Sequence, residues 1–464
     1  MKKSLLLFAL LFSLSRVFAA ETAVSDVRAL GAVGDGTTVN TKVLQTVIDQ
    51  LSAAGGGTVV VAGGRFVTGT LYLKSNITLR IEAGAVLLGS PNIADYSTDT
   101  DKTMFKDEPH MNRCLLFARD AQNITLEGRG MIDGQGKSFP NQGDLQKNRP
   151  MMIRFLNCTG VRMRDLTLEA PAAWTTSWRY CNDLAFDGLT IHSRANINGD
   201  GLDFDGCTDV RVTNSKFDNS DDCICLQASL ADKPCRDIIV SNCHFTGRWS
   251  GMRIGLLTRG NIENVTVTNC TFRELRDSGL KIQMGEGAVL KNMVFSNLVM
   301  KNVLKPVFMT LSRIRAWVDA PQEFAPAGRM EHFVFSNIVS ECEAGGKDAA
   351  FILTGLPGAV IEDVTFSDIR ANFAGGGTAE HAAGVLSELS PENLKGRWPE
   401  YSRFDRPVPA FGFYARHVKG LVLRNVHLGT LTPDARPAVI LDDVADAAVT
   451  DSPAPVIASH PATP

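Results

Sequence analysis

The chain has no excess of basic charge. Its 47 Lys and Arg stand against 50 Asp and Glu, a formal charge of −3. The electrostatic footprint of a nucleic-acid binder is therefore missing, and no nucleic-acid partner is expected. No apolar run reaches the roughly 18 residues of a membrane-spanning helix. No Cys-x-x-Cys pair or neighbouring histidine completes four ligands, so zinc has no donor set, and nothing calls for a cofactor. The ten cysteines fit no short-spaced disulfide framework. Most of the length also lacks a helical period.

What is present begins at the N-terminus, MKKSLLLFALLFSLSRVFAAETA. Lys2 and Lys3, a short apolar run and small residues around Ala19 and Ala20 form the layout of a secretory signal peptide. The expected product is an exported periplasmic or extracellular monomer, with residues 1–19 removed and no membrane attachment. Cys158, Cys181, Cys207, Cys243 and Cys270 recur at similar points of successive apolar segments, which reads as thiols packed as small hydrophobes. Cys223, Cys225 and Cys235 are close enough in sequence for one bridge.

The strongest structural signal is a repeat. VRMRDLTL, LAFDGLTI, VRVTNSKF, IIVSNCHF, VTVTNCTF, MVFSNLVM, FVFSNIVS, VTFSDIRA and LVLRNVHL each place an Asn or Asp between two apolar stretches. These residues are Asp165, Asp187, Asn214, Asn242, Asn269, Asn297, Asn337, Asp368 and Asn425, and the first six recur every 22 to 28 residues. That spacing suits one coil of a parallel β-helix, in which each coil buries its apolar face on its neighbours. Asn tolerates left-handed backbone and bonds local amides at a tight bend, so the series is structural. One all-β solenoid over 20–450 is expected, with a disordered Pro- and Ala-rich tail over 451–464.

Open solenoid ends expose strand edges that need covering. In NTKVLQTVIDQL (40–51), Val43, Leu44, Val47, Ile48 and Leu51 share one helical face behind Asn40 or Thr41 as N-cap. This short helix is expected to cap the N-terminal end. Longer gaps near 306–330 and 374–416 read as projecting loops. The aromatics of the second, Trp398, Tyr401, Phe404, Phe411 and Tyr414, either line a sugar cleft or pack the loop down, and packing is the favoured reading.

Against this background NSDDCICLQA (219–228) is anomalous, because adjacent carboxylates repel and Asp disfavours strands. Asp200, in NINGDGLDFDGC, precedes Asp221 and Asp222 by about one coil, and neighbouring strands lie ~4.8 Å apart. Three carboxylates on one patch would raise at least one pKa, supplying both the acid and the base that glycosidic hydrolysis needs. The plainer reading has Asp222 accepting a turn amide, with Asp203 and Asp205 as examples of Asp used freely on exposed strand faces. A calcium site competes as well, since clustered aspartates suit a hard cation.

Here the sequence resembles glycoside hydrolase family 28, the polygalacturonases and rhamnogalacturonan hydrolases. The likeness covers nearly the whole mature chain and includes GAVGDGTTVNT, GGGTVVV and EAPAAWTTSW. The family's Asn-Thr-Asp motif matches Asn198-Gly199-Asp200, and its Asp-Asp motif matches Asp221-Asp222. The resemblance implies a right-handed parallel β-helix and inverting hydrolysis of pectic poly- or oligosaccharide. It makes Asp221 the general acid, while Asp200 and Asp222 orient and deprotonate the water. Two motifs depart. The Gly-His-Gly motif is expected near Ser250-Gly251, where no histidine stands, and Arg-Ile-Lys becomes Lys281-Ile282-Gln283. Asn198, Arg253, Lys281 and Gln283 are the candidate substrate-binding residues, with Arg313 and Arg315 behind them. Two other functions remain open, a calcium-dependent β-helix lyase and an inactive carbohydrate-binding β-helix.

Overall fold

The computed structural model describes residues 23–101, 112–139, 148–315, 323–343, 345 and 348–458. The region read as a signal peptide lies outside them. The described strands pair in parallel, each with its counterpart about one coil later, and link into one continuous wound sheet. This is the parallel β-helix that the repeat predicts. Early coils use three short strands. Further along, two of the three merge, so that Ile262–Arg273 pairs with both Cys235–Ser241 and His244–Gly247.

The corners follow from the repeat residues. Asp165, Asn214, Asn242, Asn269, Asn297, Asn337, Asp368 and Asn425 all adopt φ between 52° and 61°, left-handed geometry that Asn and Asp reach at low cost. Their side chains also bond up the axis: Asn214 Nδ2 donates to Asp187 at 2.7 Å, Asn297 to Asn269 at 3.1 Å and Asn337 to Asn297 at 2.8 Å. Asp187 is the exception. The register pairs it with Thr213 rather than Asn214, and the left-handed residue of that coil is Gly188, at φ 66°. Glycine takes this conformation without a Cβ penalty, which freed the neighbouring Asp to act only as acceptor.

The core is a stack of like side chains. Phe217, Phe245 and Phe272 stack at 5.1 and 4.8 Å, and Phe295, Phe335 and Phe366 at 5.0 and 4.5 Å. All ten cysteines are free and buried. No bridge joins Cys223, Cys225 and Cys235, because their thiols face different neighbours. Cys223 Sγ lies 3.5 Å from Thr246 O, Cys235 Sγ lies 3.9 Å from Phe204 O, and Cys225 points towards Asp200 and Asp222.

Helix α1 (Thr41–Ala53) buries Leu44, Val47, Ile48 and Leu51 on the first coils, with Val43 at the margin. Asn40 is its N-cap but does not bond the helix amides. Its side chain instead ties Val33 and Thr38 to the helix start.

Two boundaries differ from the sequence reading. Val456–Ala458 forms a strand on Ile440–Asp442, so the solenoid runs past 450 and into the segment expected to be a disordered tail. Lys305–Leu311 is a strand as well, so the first projecting loop begins after it. Of the five loop aromatics, Trp398, Tyr401, Phe404 and Tyr414 pack in one apolar cluster, as favoured, while Phe411 stands outside it and is only partly buried.

Candidate active site

Five consecutive rungs of one sheet build the site: β1 (Leu202–Asp205), β2 (Ile224–Ala228), β3 (Met252–Thr258), β4 (Ser278–Met284) and β5 (Lys305–Leu311). In-register pairing aligns Asp203, Cys225, Arg253, Lys281 and Phe308 in a single row. Side chains of a strand alternate between its faces, so this row faces away from the solenoid core. Asp200, Asp221 and Asp222 sit on the turns that enter β1 and β2. Backbone bonds lock those turns together, with Gly201 N donating to Asp222 O and Cys223 N to Ser250 O, each at 3.0 Å.

The structure brings the three carboxylates together, with one oxygen from each within 4.8 Å of the others. Asp200 and Asp222 are buried, while Asp221 keeps a solvent-facing edge. Cys225 Sγ lies beneath them, 3.8 Å from both Asp200 and Asp222. Burial and, after it, the Asp222 charge push the Asp221 carboxyl up to about 7, although Arg253 and Lys281 pull the other way. Asp221, its carboxyl raised to about 7, thus stands beside Asp200 and Asp222. Asp222 accepts from Ser250 N at 3.2 Å and from Arg253 Nη1 at 3.2 Å.

Asp203 and Asp205 are not on exposed faces. Both are 1% exposed, and Asp205 accepts from Ser229 N at 2.7 Å and Ser229 Oγ at 2.6 Å. Buried carboxylates need such partners.

The candidate substrate-binding residues are placed less uniformly. Asn198 Oδ1 accepts from Arg149 Nη2 at 2.8 Å, and Arg149 also bonds Ile197 O, so this side chain shapes the turn that delivers Asp200. Arg253 borders the carboxylates. Lys281 and Gln283 are fully buried. Lys281 Nζ pairs with Asp277 at 2.8 Å and with Glu400, and Gln283 Nε2 donates to Pro399 O at 2.9 Å. Burial opposes the Lys281 charge, yet Asp277 and Glu400 hold its pKa above the ordinary lysine value. Arg313 and Arg315 turn away to their own loop, Arg313 bonding Ala325 O at 2.9 Å and Arg315 lying over the Phe324 ring.

Sequence reasoning missed three residues here. Asp277 was reachable by the one-coil rule, since it bonds Ser250 of the previous coil at 3.1 Å. Trp249, whose ring lies 4.9 Å from Lys281 Nζ, adjoins the site motif. Glu400 had no local signal, because it arrives on the distant loop.

Gly199, between Asn198 and Asp200, has no room for a side chain. A Cβ there would fall 2.2 Å from Ser193 O and 2.5 Å from Ser220 Oγ. Gly199→Ala is expected to cost about 1–3 kcal/mol by overpacking and to shift Asp200, which a urea titration and an activity assay on the same preparation would register.

A calcium ion fits this cluster poorly. It would take six to eight oxygens, whereas Asp222 is already engaged by the Arg253 guanidinium.

Residues 52–390 match the sequence pattern of Glycosyl hydrolases family 28. The chain is similar to a probable polygalacturonase of Vitis vinifera, 26% identical over 307 residues that cover 60% of this chain and 61% of the relative. It is also similar to an exo-poly-alpha-D-galacturonosidase of Dickeya chrysanthemi, 28% identical over 395 residues, covering 72% of this chain and 64% of the relative. The chain thus spans less than two thirds of the length of these relatives. In fold it matches the family 28 exopolygalacturonase of Yersinia enterocolitica, with TM-score 0.70 at 19% identity over 95% of this chain and 79% of that one. The hyperthermoactive exopolygalacturonase of Thermotoga maritima gives TM-score 0.65 at 20% identity, over 79% and 89%.

Proposed function

The chain belongs to glycosyl hydrolase family 28, and from that premise we propose that it is an exported glycoside hydrolase that cleaves pectin-type, galacturonate-containing poly- or oligosaccharide with inversion. The observation that carries the reading is the Asp221 carboxyl, raised to about 7 within reach of two other carboxylates. Asp221 gives its proton to the glycosidic oxygen as the bond to the anomeric carbon breaks. Asp200 and Asp222 hold a water between them and take its proton as its oxygen bonds that carbon. Support for acting outside the cytoplasm comes from Lys2, Lys3 and the apolar run ending at Ala19 and Ala20. No helix among the described residues is long and apolar enough to cross a membrane.

The carboxylate oxygens, within 4.8 Å, approach more closely than the ~6.5–9.5 Å that separates the carboxyl groups of most inverting pairs. In this reading inversion still requires that the water held by Asp200 and Asp222 reach the anomeric carbon from the face opposite the leaving oxygen. The test is proton NMR of the first product formed from a defined pectic oligosaccharide. An inverted anomeric centre is expected, and a retained one would overturn the assignment. An unsaturated, ultraviolet-absorbing product would instead establish a lyase.

A further inference from the structure

We propose that Trp249 is a sugar-stacking residue, a flat platform for a pyranose ring next to the bond that Asp221 cleaves. The inference rests on Asp200, Asp221 and Asp222 being the hydrolytic centre, and adds a binding residue to it. Trp249 takes in its coil the place that Asp221 takes in the coil before. Ile224 pairs with Met252. Two residues earlier, Ser250 N donates to Asp222 at 3.2 Å and Cys223 N donates to Ser250 O at 3.0 Å. Ser250 therefore stands level with Asp222, and Trp249 with Asp221. Neighbouring coils lie ~4.8 Å apart, so the indole springs from the backbone one step along the axis from the general acid. A saccharide that places its glycosidic oxygen at Asp221 brings an adjoining ring to that step.

The exposure of this side chain sets it apart. Trp174 and Trp178 are buried and Trp398 is half-buried, so among the described tryptophans Trp249 alone is exposed, at 36%. Such apolar area beside a polar centre contributes nothing to the core, and it marks a surface that meets a ligand. The ring is also held in place. Lys281 Nζ lies over it at 4.9 Å from the centroid, and Lys281 is itself buried and tied to Asp277 and Glu400. This cation–π contact anchors the indole from the protein side, so little freedom is left to lose when a ligand arrives.

The chemistry suits a sugar. One face of a pyranose is lined by C–H groups, while its hydroxyls lie at the edge. Stacking that face on an indole removes apolar surface from water and leaves the edge for polar groups. Trp249 Nε1 donates to no described residue and is available to a sugar hydroxyl. Arg248, next in the chain, and Arg276, one coil later, are exposed as well, and neither pairs with a described carboxylate. An aromatic plate with a few polar groups around it is how such sites hold and orient a ligand. The plainer alternative makes Trp249 an apolar cover for Lys281, which any side chain of similar bulk would supply.

The test compares wild type, Trp249→Phe and Trp249→Leu on one oligogalacturonate. Leu keeps an apolar cover and loses the flat ring, whereas Phe keeps both. Trp249→Leu is expected to raise KM about tenfold or more, and Trp249→Phe to recover most of that loss. Equal KM values in the folded Leu and Phe variants would overturn the proposal. Fluorescence titration of Asp221→Asn protein with the same oligosaccharide is expected to give a saturable change in tryptophan emission. The change should be absent from Asp221→Asn with Trp249→Phe, and its persistence there would overturn the stacking role. This titration needs no turnover, so the two readings fail separately. A Trp249-dependent signal without turnover in wild type sinks only the hydrolase assignment, and turnover without such a signal sinks only the platform.

Discussion

Asp221→Asn is expected to lower kcat by about 10²–10⁴-fold, the span associated with losing a positioned general acid, while making the protein more stable at alkaline pH. The two effects share one cause. The folded protein raises the Asp221 carboxyl from 3.8 to about 7 through burial and the Asp222 charge. Between those values the native state binds more protons than the unfolded chain, so wild-type stability falls as pH rises from about 4 to about 7. Above pH 7 the carboxylate is ionised against its surroundings, and the full penalty is present. Asn keeps an oxygen in place of Oδ1 to accept from Asp222 N, a 3.0 Å bond in wild type, and removes the charge. After discounting for the solvent-facing edge of Asp221, the gain at pH 8 is about 1–3 kcal/mol. Urea unfolding of both proteins at pH 4 and pH 8 checks this. The difference between them should be larger at pH 8, and a variant no more stable than wild type there would show that Asp221 is not strained. Persistence of sugar binding in the same variant, with turnover lost, separates an enzyme from an inactive binding protein.

Lys281→Met is expected to be the most destabilising single change at the site, at about 3–5 kcal/mol, because it strands buried carboxylates without their cation. Lys281 is 0% exposed and sits between Asp277 and Glu400. Burial alone would raise Asp277, yet Lys281 and then Lys305 hold its pKa below the ordinary carboxylate range. Loss of the first cation therefore leaves Asp277 with only the more distant second. Denaturant titration reads the loss. The double variant Lys281→Met with Glu400→Gln should recover part of it, since one of the two stranded charges is gone, and strict additivity of the two changes would refute the coupling.

The parts of this protein that repeat were legible in its sequence, and the parts that close on themselves from afar were not. The Asn series marked the corners because only a few residue types accept left-handed backbone. The one slip, Asp187 in place of Gly188, arose because an acid and a glycine stood side by side and either suits such a bend. Asp200 and the Asp221–Asp222 pair were found by counting one coil, since in-register stacking turns a sequence interval into a neighbour. The same count places Asp277 under Ser250, but an acid one coil from a serine carries no chemical oddity to attract notice. Asp203 and Asp205 looked like surface residues on an alternating strand, whereas both are buried, Asp205 against Ser229 and Arg179. Glu400 was invisible for a different reason. Its segment meets the site through contacts such as that of Pro399 with Gln283, 116 residues away, and no periodicity spans that interval.

The site row takes one residue from each successive rung, and this constrains how such a molecule can grow. Duplicating one whole turn beyond Phe308 would lengthen the stack and leave Asp200, Asp221, Asp222 and Arg253 in their present register. The same duplication between Cys225 and Arg253 would move the guanidinium a full step from Asp222 and dismantle the chemistry. Tolerance to inherited length changes should therefore be sharply uneven along the axis, with a few adjacent turns frozen and the remainder free to vary.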